Sequence, residues 1–230
     1  MIRLDRLLAE RGAGSRREVA SAIRHGRVHV DGEVLRKPSL RVSETAELRL
    51  DGVVLPPLPM VVAWHKPRGV VSTLRDPWGR PSLEGVLPEP WDGMLHPVGR
   101  LDAETTGLLL FSRDGQLTQR LLHPRRGVPR RYVAGVETLP PDLHERLTTG
   151  VGTSDGTFTA EDICISDHDV TLTVREGKHR MVRRMLANAG APVLTLHRVS
   201  YGAVQLAPLA EGEARALTPA EVQALAAGAW

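Results

Sequence analysis

The sequence predicts an α+β protein with a small helical N-terminal domain and a larger domain built on a mixed, largely antiparallel sheet, flanked by helices around a central cleft. Three observations support this prediction. Helix-capping and hairpin-turn signals crowd into the first 56 residues, three prolines fall within residues 53–60, and the strands and helices beyond them mix without a regular βαβ rhythm. A proline-rich stretch stiffens the chain and marks a boundary. We therefore expect domains at 1–56 and 61–230, joined by a linker at 57–60.

Composition excludes several classes of protein. The 230 residues, of which 41% are hydrophobic, are enough for one or two globular cores. The single cysteine, Cys164, excludes a disulfide framework and a cysteine-based zinc site, because both need several thiols. The N-terminus lacks the apolar core of a signal peptide, and no apolar run approaches the roughly 20 residues that span a bilayer. We expect a soluble, cytoplasmic protein that does not bind membranes.

The first domain is predicted to contain two helices followed by a hairpin. The leucines of residues 4–8 lie on one face of a helix. Ser15 and Glu18 have the spacing of a capping box, which begins a second helix that Gly26 ends. Asp31-Gly32 separates two short apolar runs and fits a two-residue type I′ turn.

The net positive charge of the chain lies in this first domain. Residues 1–56 contain 11 Lys+Arg and 8 Asp+Glu, whereas the remainder contains 19 of each, so the domain carries the whole excess of +3. Arg16, Arg17 and Arg24 belong to the second helix. A basic module on a neutral body is typical of a polyanion-binding appendage, although a merely solvated helix face has the same pattern.

The domain resembles the small RNA-binding domain first known from ribosomal protein S-four. The matching residues are 4–8, 15–18, 23, 26, 28–30 and 31–32. In that domain the second helix and the following strand present basic residues to RNA. The resemblance implies that Arg16, Arg17 and Arg24 bind RNA here.

Hydrophobic periodicity predicts short strands and helices beyond the linker. Strands are expected at 61–64, 108–111, 132–136 and 170–174, and helices near 116–122, 141–147, 180–189 and 219–226. The helix near 180–189 has an apolar face opposite Arg180, Arg183 and Arg184. Such a basic face is either solvated or in contact with RNA phosphates.

Residues 99–107 are the most informative stretch of the body. This polar, turn-rich segment contains Asp102 and Glu104 and leads into the apolar strand at 108–111, so both carboxylates are expected at the edge of the core. A carboxylate at such an edge serves as nucleophile or base when burial and a cationic neighbour set its proton affinity. The residues alone leave two alternatives open, an ordinary turn aspartate and a glycosidase in which Asp102 and Glu104 act as a pair.

Four segments, in order across nearly the whole chain, together resemble the rRNA pseudouridine synthases of the RsuA/RluB type. They are His65–Gly69, Val98–Phe111, Arg131-Tyr132 and Glu176–Leu186. The resemblance implies that Asp102 is the catalytic residue, that Tyr132 contacts the target base and that Arg183 pairs with the aspartate. It assigns no second acid to the position of Glu104.

The same resemblance implies isomerisation of uridine to pseudouridine in ribosomal RNA, with neither a metal nor a cofactor. Segments 76–81, 182–184 and 198–202 are more similar to the large-subunit enzymes, and segments 102–107 and 115–116 to the small-subunit enzyme. We expect large-subunit rRNA as the substrate, with small-subunit rRNA as the alternative. The partner is expected to be rRNA or a ribosomal assembly intermediate, and the enzyme a monomer.

Basic residues of the body are further candidates for RNA contacts. They are Lys66, Arg100, Arg130, Arg131, Lys178, Arg180 and Arg184. Among them Arg130 and Arg131 are expected in a loop. The alternative function is a non-enzymatic rRNA-binding assembly factor, for which the first domain would suffice. The presence of Asp102, Tyr132 and the motif at 176–185 argues against that alternative.

Overall fold

Residues 1–230 are described by a computed structural model, in which the chain divides into two units. The small unit comprises residues 1–59 and 88–94, and the large unit comprises residues 60–87 and 95–230. No local sequence pattern predicts that residues 88–94 belong to the small unit. None of the six helices has the length and apolar character that crossing a membrane requires.

The helices and the hairpin of the small unit are those that the sequence predicts. Ser15 Oγ accepts a hydrogen bond from the backbone of Glu18, whose carboxylate accepts one from Ser15 N at 2.7 Å, which confirms the capping box. Asp31 and Gly32 have φ angles of 50° and 88°, as a type I′ turn requires. The elements are β1 (Ile2–Arg3), α1 (Leu4–Glu10), α2 (Arg16–Arg24), β2 (Val28–Val30), β3 (Glu33–Val34), β4 (Arg41–Val42), β5 (Leu48–Leu50) and β6 (Val53–Leu55).

The small unit contains more strand than the sequence predicts. An antiparallel sheet has the order β3-β2-β5-β6, and β1 pairs separately with β4. Leu4, Leu8, Ile23 and Leu48 are fully buried and form the core between the helices and the sheet. Strands of two or three residues are too short to show alternating hydrophobicity, so no periodic pattern reveals β4, β5 or β6.

Every strand and helix predicted for the large unit is present. A short 3₁₀ helix (Pro124–Arg126) precedes strand β10. The elements are β7 (Val61–Lys66), β8 (His96–Pro97), β9 (Thr105–Ser112), α3 (Gly115–Leu122), β10 (Arg130–Val136), α4 (Leu143–Thr149), β11 (Val151–Thr153), β12 (Gly156–Phe158), β13 (Glu161–Ser166), β14 (Asp169–Val174), α5 (Met181–Asn188), β15 (Val193–Tyr201), β16 (Val204–Gln205), β17 (Ala214–Ala216) and α6 (Pro219–Ala227).

The main sheet is mixed and largely antiparallel, as predicted. Its order is β13-β14-β10-β15-β9-β7-β17, with β16 added to β15 and β8 to β9. Only β15 and β9 are parallel, and this pair sets Gly107 opposite Arg198. On its other side β15 pairs with β10, which sets Tyr132 opposite Arg198. The sheet therefore brings the strand that follows Asp102 and the strand that carries Tyr132 to the two sides of β15.

Gly107 shows how closely β9 approaches β15. Its φ angle is +104°, and a Cβ atom at this position would lie 2.3 Å from the carbonyl oxygen of Arg198. Real Cβ atoms do not approach a backbone oxygen so closely, and a residue with a side chain disfavours this φ. The glycine that closes the motif at 99–107 is therefore required by the parallel strand pair.

Candidate active site

The Asp102 loop, which we define as residues 99–104, lies between β8 and β9 and is held by neighbouring backbone and side chains. The contacts are Ser72 Oγ with Leu101 N (3.0 Å) and Leu101 O (2.6 Å), and Gly69 N with Ala103 O (2.8 Å). The side chain of Asp102 is half-buried, and its carboxylate accepts no hydrogen bond from the protein. The loop thus has an anchored backbone and a carboxylate that is free to meet a ligand.

A cavity of about 280 Å³ opens beside Asp102. This volume is just below the roughly 300–1,000 Å³ typical of small-molecule sites, and suits one nucleoside-sized group. Its wall combines apolar, aromatic and basic side chains, among them Val98, Leu101, Leu122, Met181, Val182, Leu196, Tyr132, Tyr201, Arg100, Arg130, Lys178, Arg180 and Arg198. Asp102 and Glu176 are the acidic residues of the lining. Basic groups outnumber acidic ones, so the cavity favours an anionic ligand.

Tyr132 lies in the wall of the same cavity as Asp102. It stands on β10, and the buried residues of this strand alternate with more exposed ones, so that Arg130 and Tyr132 face the same side. The ring is 7% exposed, and its hydroxyl lies 3.5 Å from Nη1 of Arg198 on the neighbouring strand. The structure therefore brings together the two residues to which the resemblance assigns catalysis and base contact.

Arg183 contacts the Asp102 loop but forms no salt bridge with Asp102. Its Nη2 donates to the carbonyl oxygen of Glu104 at 3.0 Å and lies 3.5 Å from Thr105 Oγ1. Burial lowers the pKa of Arg183, and Arg180 lowers it further, whereas the negative charges of Asp102 and Glu104 raise it. The expected direct pairing is corrected: the turn after Asp102 directs a backbone carbonyl, rather than the carboxylate, toward the guanidinium.

Glu104 does not share the cavity with Asp102. Its exposed carboxylate accepts hydrogen bonds from Arg68 Nε at 2.9 Å and Arg68 Nη2 at 2.6 Å, and this contact lowers the pKa of Glu104. Both carboxylates of a glycosidase must face the scissile bond, whereas Glu104 is engaged by Arg68 and is absent from the lining of the cavity. The alternative in which Asp102 and Glu104 act as a carboxylate pair does not fit this geometry.

Most of the basic residues proposed for RNA contacts are exposed. Arg100, Lys178 and Arg180 are exposed and also line the cavity. Arg131 is exposed on β10, so it lies in a strand and not in the expected loop. In the small unit the exposed set comprises Arg16, Arg17 and Arg24, all on α2. Their contacts with RNA stay predictions.

Lys66 does not lie on an RNA-binding surface, contrary to the prediction. Its side chain is fully buried, and Nζ donates to the carbonyl oxygens of Pro67 (2.8 Å), Ala103 (3.3 Å) and Thr105 (2.9 Å). An ammonium group with three donors in use inside the protein cannot reach a phosphate. Lys66 instead binds the backbone on both sides of Glu104 and stabilises the Asp102 loop.

Arg130 and Arg184 also differ from the prediction. Arg130 begins β10, is buried, and donates to two backbone carbonyl groups at 3.0 and 3.1 Å, although it lines the cavity. Arg184 is half-buried, donates to Ser154 Oγ at 2.7 Å and pairs with Asp155. Because both side chains are held by contacts within the protein, neither is a free basic group on the surface.

Three residues of β15, Leu196, Arg198 and Tyr201, line the cavity without being predicted as site residues. Arg198 is 3% exposed and Tyr201 is 1% exposed. The strand itself is missed in the sequence because Thr195, His197 and Ser200 interrupt its apolar pattern. Had the strand been recognised, its pairing with β9 and β10 would still depend on contacts far apart in the chain.

Comparison with known proteins gives matches along nearly the whole chain. The model of the RNA pseudouridylate synthase family matches residues 60–188, and that of the S4 domain matches residues 2–48. An RNA pseudouridine synthase of Mycobacterium tuberculosis is 40% identical over 232 residues, which cover 96% of this chain and 91% of that protein. Ribosomal large subunit pseudouridine synthase B of Bacillus subtilis is 34% identical, over 99% of this chain and 96% of that protein. A crystal structure of a pseudouridylate synthase matches with a TM-score of 0.66 and 31% identity, over 98% of this chain and 100% of that chain.

Proposed function

The chain belongs to the RNA pseudouridylate synthase family, and from this premise we propose that it isomerises a uridine of large-subunit ribosomal RNA to pseudouridine, with Asp102 as the catalytic residue. The observation that carries the proposal is that Asp102 and Tyr132 line one cavity within the matched region. The choice of RNA is supported by relatives named ribosomal large subunit pseudouridine synthase B, at 34% and 38% identity.

The reaction sets three requirements for the site. The bond between N1 of uracil and C1′ of ribose breaks, the base turns, and C5 of uracil bonds to the same C1′. A proton leaves C5 and a proton is bound at N1, so nothing is oxidised or reduced overall. The site therefore needs a carboxylate for the electron-poor sugar, a pocket that retains the detached base, and exclusion of water.

Asp102 meets the first requirement. Its carboxylate lines the cavity and accepts no hydrogen bond from the protein, so its oxygens are available to the ribose. It either adds to C1′ and forms a covalent adduct, or removes a proton from C2′ and gives a glycal-like intermediate. Both routes use the same carboxylate at the same sugar. Lys66 and Ser72 support either route, since they hold the backbone on both sides of Asp102.

The cavity wall meets the other two requirements. Tyr132 offers an aromatic face to the uracil, and stacking of a base on such a ring contributes about 1–3 kcal/mol. Val182 and Leu196 are buried apolar residues of the wall and exclude water from the reacting sugar. The target uridine enters this pocket only from a loop or after flipping out of a helix, because a stacked base hides its faces.

The test of the catalytic assignment is Asp102→Asn, with Glu104→Gln as the matched control on the neighbouring acid. In purified enzyme we expect Asp102→Asn to lower the single-turnover rate by more than about 1,000-fold, as loss of a nucleophile does. Binding of the RNA is expected to change little, because the substitution keeps the shape of the side chain. The exposed Glu104 lies outside the cavity, so its variant retains the wild-type rate.

Mapping of pseudouridines in cells tests the function itself. In rRNA from cells that lack the gene, we expect at least one large-subunit pseudouridine to disappear, and to return with the wild type or Glu104→Gln but not with Asp102→Asn. An unchanged map would favour the non-enzymatic assembly factor. A lost modification in small-subunit rRNA alone would keep the enzyme and reject the choice of subunit.

The small unit is proposed to dock the RNA through α2. Arg16, Arg17 and Arg24 are exposed on this helix, and the match to the S4 domain covers it. The logarithm of the binding constant falls linearly with the logarithm of the salt concentration, and each phosphate contact makes this slope more negative by about 0.7–0.9. Replacement of the three arginines by glutamine is therefore expected to reduce the salt slope by about 2–3 and to raise KM, with kcat unchanged.

The matched control replaces three other exposed arginines of the small unit that donate hydrogen bonds to acids, whereas Arg16 has only a longer contact of 3.8 Å with Asp5. These are Arg6 with Glu10, Arg27 with Asp51 and Arg49 with Glu47. Their glutamine variants are expected to keep the wild-type salt slope. Equal effects of the two triple variants would contradict docking through α2 and leave only a general dependence on charge.

We also propose that the enzyme acts as a monomer in the cytoplasm, on free rRNA or on an assembly intermediate. Sedimentation of the purified protein tests the first part, and a dimer at working concentration would contradict it. Activity on naked rRNA, compared with activity on isolated precursor particles, identifies the substrate.

A further inference from the structure

Arg198 is a buried cation without an acidic partner. Its side chain is on β15, the residue is 3% exposed, and no salt bridge is formed by its guanidinium. Nε donates to the carbonyl oxygen of Leu108 at 2.7 Å, and Nη1 lies 3.5 Å from the hydroxyl of Tyr132. The third nitrogen, Nη2, is buried and has no hydrogen-bond partner. A buried charged donor without a partner is unfavourable, and here it belongs to a residue that lines the cavity.

A second buried guanidinium adds to the positive charge of this wall. Arg130 is 9% exposed, lines the cavity and also lacks an acidic partner. The guanidinium carbons of Arg130 and Arg198 lie 5.1 and 5.3 Å from the ring centre of Tyr201. The hydroxyl of Tyr201 donates to Leu121 O at 3.0 Å, which fixes the ring beside both guanidinium groups. Cation–π contacts compensate only part of the cost of burying a charge, so this wall stays poised for an anion.

The isomerisation produces an anion at this place. When the bond between C1′ and N1 breaks, the electron pair stays on the base and leaves a uracil anion, whose charge is shared by N1 and the carbonyl oxygens. C5 then attacks C1′, the C5 proton leaves, and N1 takes up a proton. During the turn of the base the anion is held by no covalent bond to the sugar. A fixed cation that meets a carbonyl oxygen of the base stabilises this stage more than the neutral nucleoside before it.

We propose that Arg198 is a further catalytic residue, whose guanidinium donates to a carbonyl oxygen of the uracil, stabilises the detached uracil anion and retains it while it turns. The proposal rests on the proposed isomerase function. The position of the donor follows from the sheet, because Arg198 lies opposite both Tyr132 and Gly107 on the flanking strands. It stands between the residue that stacks on the base and the strand that follows Asp102.

The test compares two substrates that differ in the stability of the departing base. In full-length enzyme, Arg198→Gln removes the charge, and Arg198→Lys keeps it but lacks the donor fork. Each variant is given RNA with uridine or with 5-fluorouridine at the target position in single turnovers. Fluorine makes the uracil anion more stable, so this base needs less help to leave. Because fluorine replaces the C5 proton, turnover is followed as loss of intact fluorouridine from digested RNA.

We expect Arg198→Gln to lower the rate on uridine by about 100–1,000-fold, the usual effect of removing one donor to a developing charge. On fluorouridine the loss of rate is expected to be at least tenfold smaller than on uridine. On each substrate the rate of Arg198→Lys is expected to lie between those of the wild type and Arg198→Gln, and Arg198→Lys serves as the test variant if Arg198→Gln does not fold. The control is Arg215→Met, which removes a half-buried arginine that pairs with Glu221 outside the cavity. Any loss it causes is expected to be equal on both substrates.

Equal losses on both substrates for the Arg198 variants would overturn the proposal and leave Arg198 as a structural support of Tyr132 and Leu108. This failure is distinct from failure of the isomerase function. In the first case the wild type still makes pseudouridine, whereas in the second case neither the wild type nor any variant does.

Discussion

Lys66 allows a direct test of how burial changes the pKa of a charged side chain in this fold. Its ammonium group is fully buried and is held by three backbone carbonyl oxygens, two of which flank Glu104 in the sequence. Burial lowers the pKa of Lys66 from 10.5 to about 8, although the negative charges of Asp102, Glu104 and Glu211 act in the opposite direction. Replacement of Lys66 by methionine leaves an unbranched side chain one heavy atom shorter and removes the titrating group.

The pKa of Lys66 determines how stability depends on pH. Between pH 8 and 10.5 the unfolded chain binds a proton at this lysine that the folded protein has released, so the free energy of unfolding rises with pH in this window. This gain in the free energy of unfolding is complete above pH 10.5 and is lost as the pH falls through 8. A pKa difference of about 2.5 corresponds to roughly 3 kcal/mol, at 1.36 kcal/mol per pKa unit.

Urea unfolding of the wild type and Lys66→Met between pH 7.5 and 10.5 measures this effect. The free energy of unfolding of the wild type minus that of the variant is expected to increase by up to about 3 kcal/mol across the range. Other titrating groups cancel in the difference. Lys178→Met, which removes an exposed lysine, serves as the control and is expected to give a flat difference. A flat difference for Lys66→Met as well would refute the argument that burial sets the charge of this lysine.

Three further predictions concern the backbone and a surface turn. Gly107→Ala is expected to destabilise the large unit by more than about 3 kcal/mol in urea unfolding, because a Cβ atom would meet the backbone of β15. The control is Gly115→Ala, since there is open space around Gly115. Similar losses of stability in the two variants would contradict the reasoning. Ser15→Ala removes the cap of α2 and is expected to lower its local stability by about 1 kcal/mol, measured by amide hydrogen exchange; unchanged exchange would show that the cap contributes nothing. Arg80 and two backbone N–H groups hold the pKa of Asp76 at about 2, so the stabilisation by this carboxylate is present above pH 3.8 and is lost as the pH falls through 2. The free energies of unfolding of wild type and Asp76→Asn are therefore expected to differ at neutral pH and to converge near pH 2. A difference that stays constant with pH would argue against this.

Local signals account for the elements that the sequence predicts correctly. The capping box at Ser15 and the turn at Asp31-Gly32 each depend on residues within a few positions of one another, and helix α5 shows a clear apolar face. The shortest strands of the small unit give no such signal. The long strand β15 gives a weak signal, because the consecutive polar residues His197 and Arg198 break its alternation of apolar and polar side chains.

Burial of the basic side chains could not be predicted in the same way. Lys66 and Arg130 are basic residues in or beside recognised motifs, and an exposed, RNA-binding position is the ordinary expectation for them. In the structure each uses its donors on backbone carbonyl groups of neighbouring segments. Those carbonyl groups belong to residues up to 45 positions away, which no local pattern connects.

Caps, turns and hydrophobic periodicity act over a few residues, so they are sufficient to predict all six helices, six of the 17 strands, the mixed sheet and the motif around Asp102. The charged groups that serve the cavity are set instead by the tertiary fold. It excluded Lys66 from the surface, directed Arg183 to a carbonyl oxygen, and set Arg198 between the strands of Tyr132 and Gly107. These outcomes follow because the partners of a side chain depend on strand order and register, which join residues about 90 positions apart.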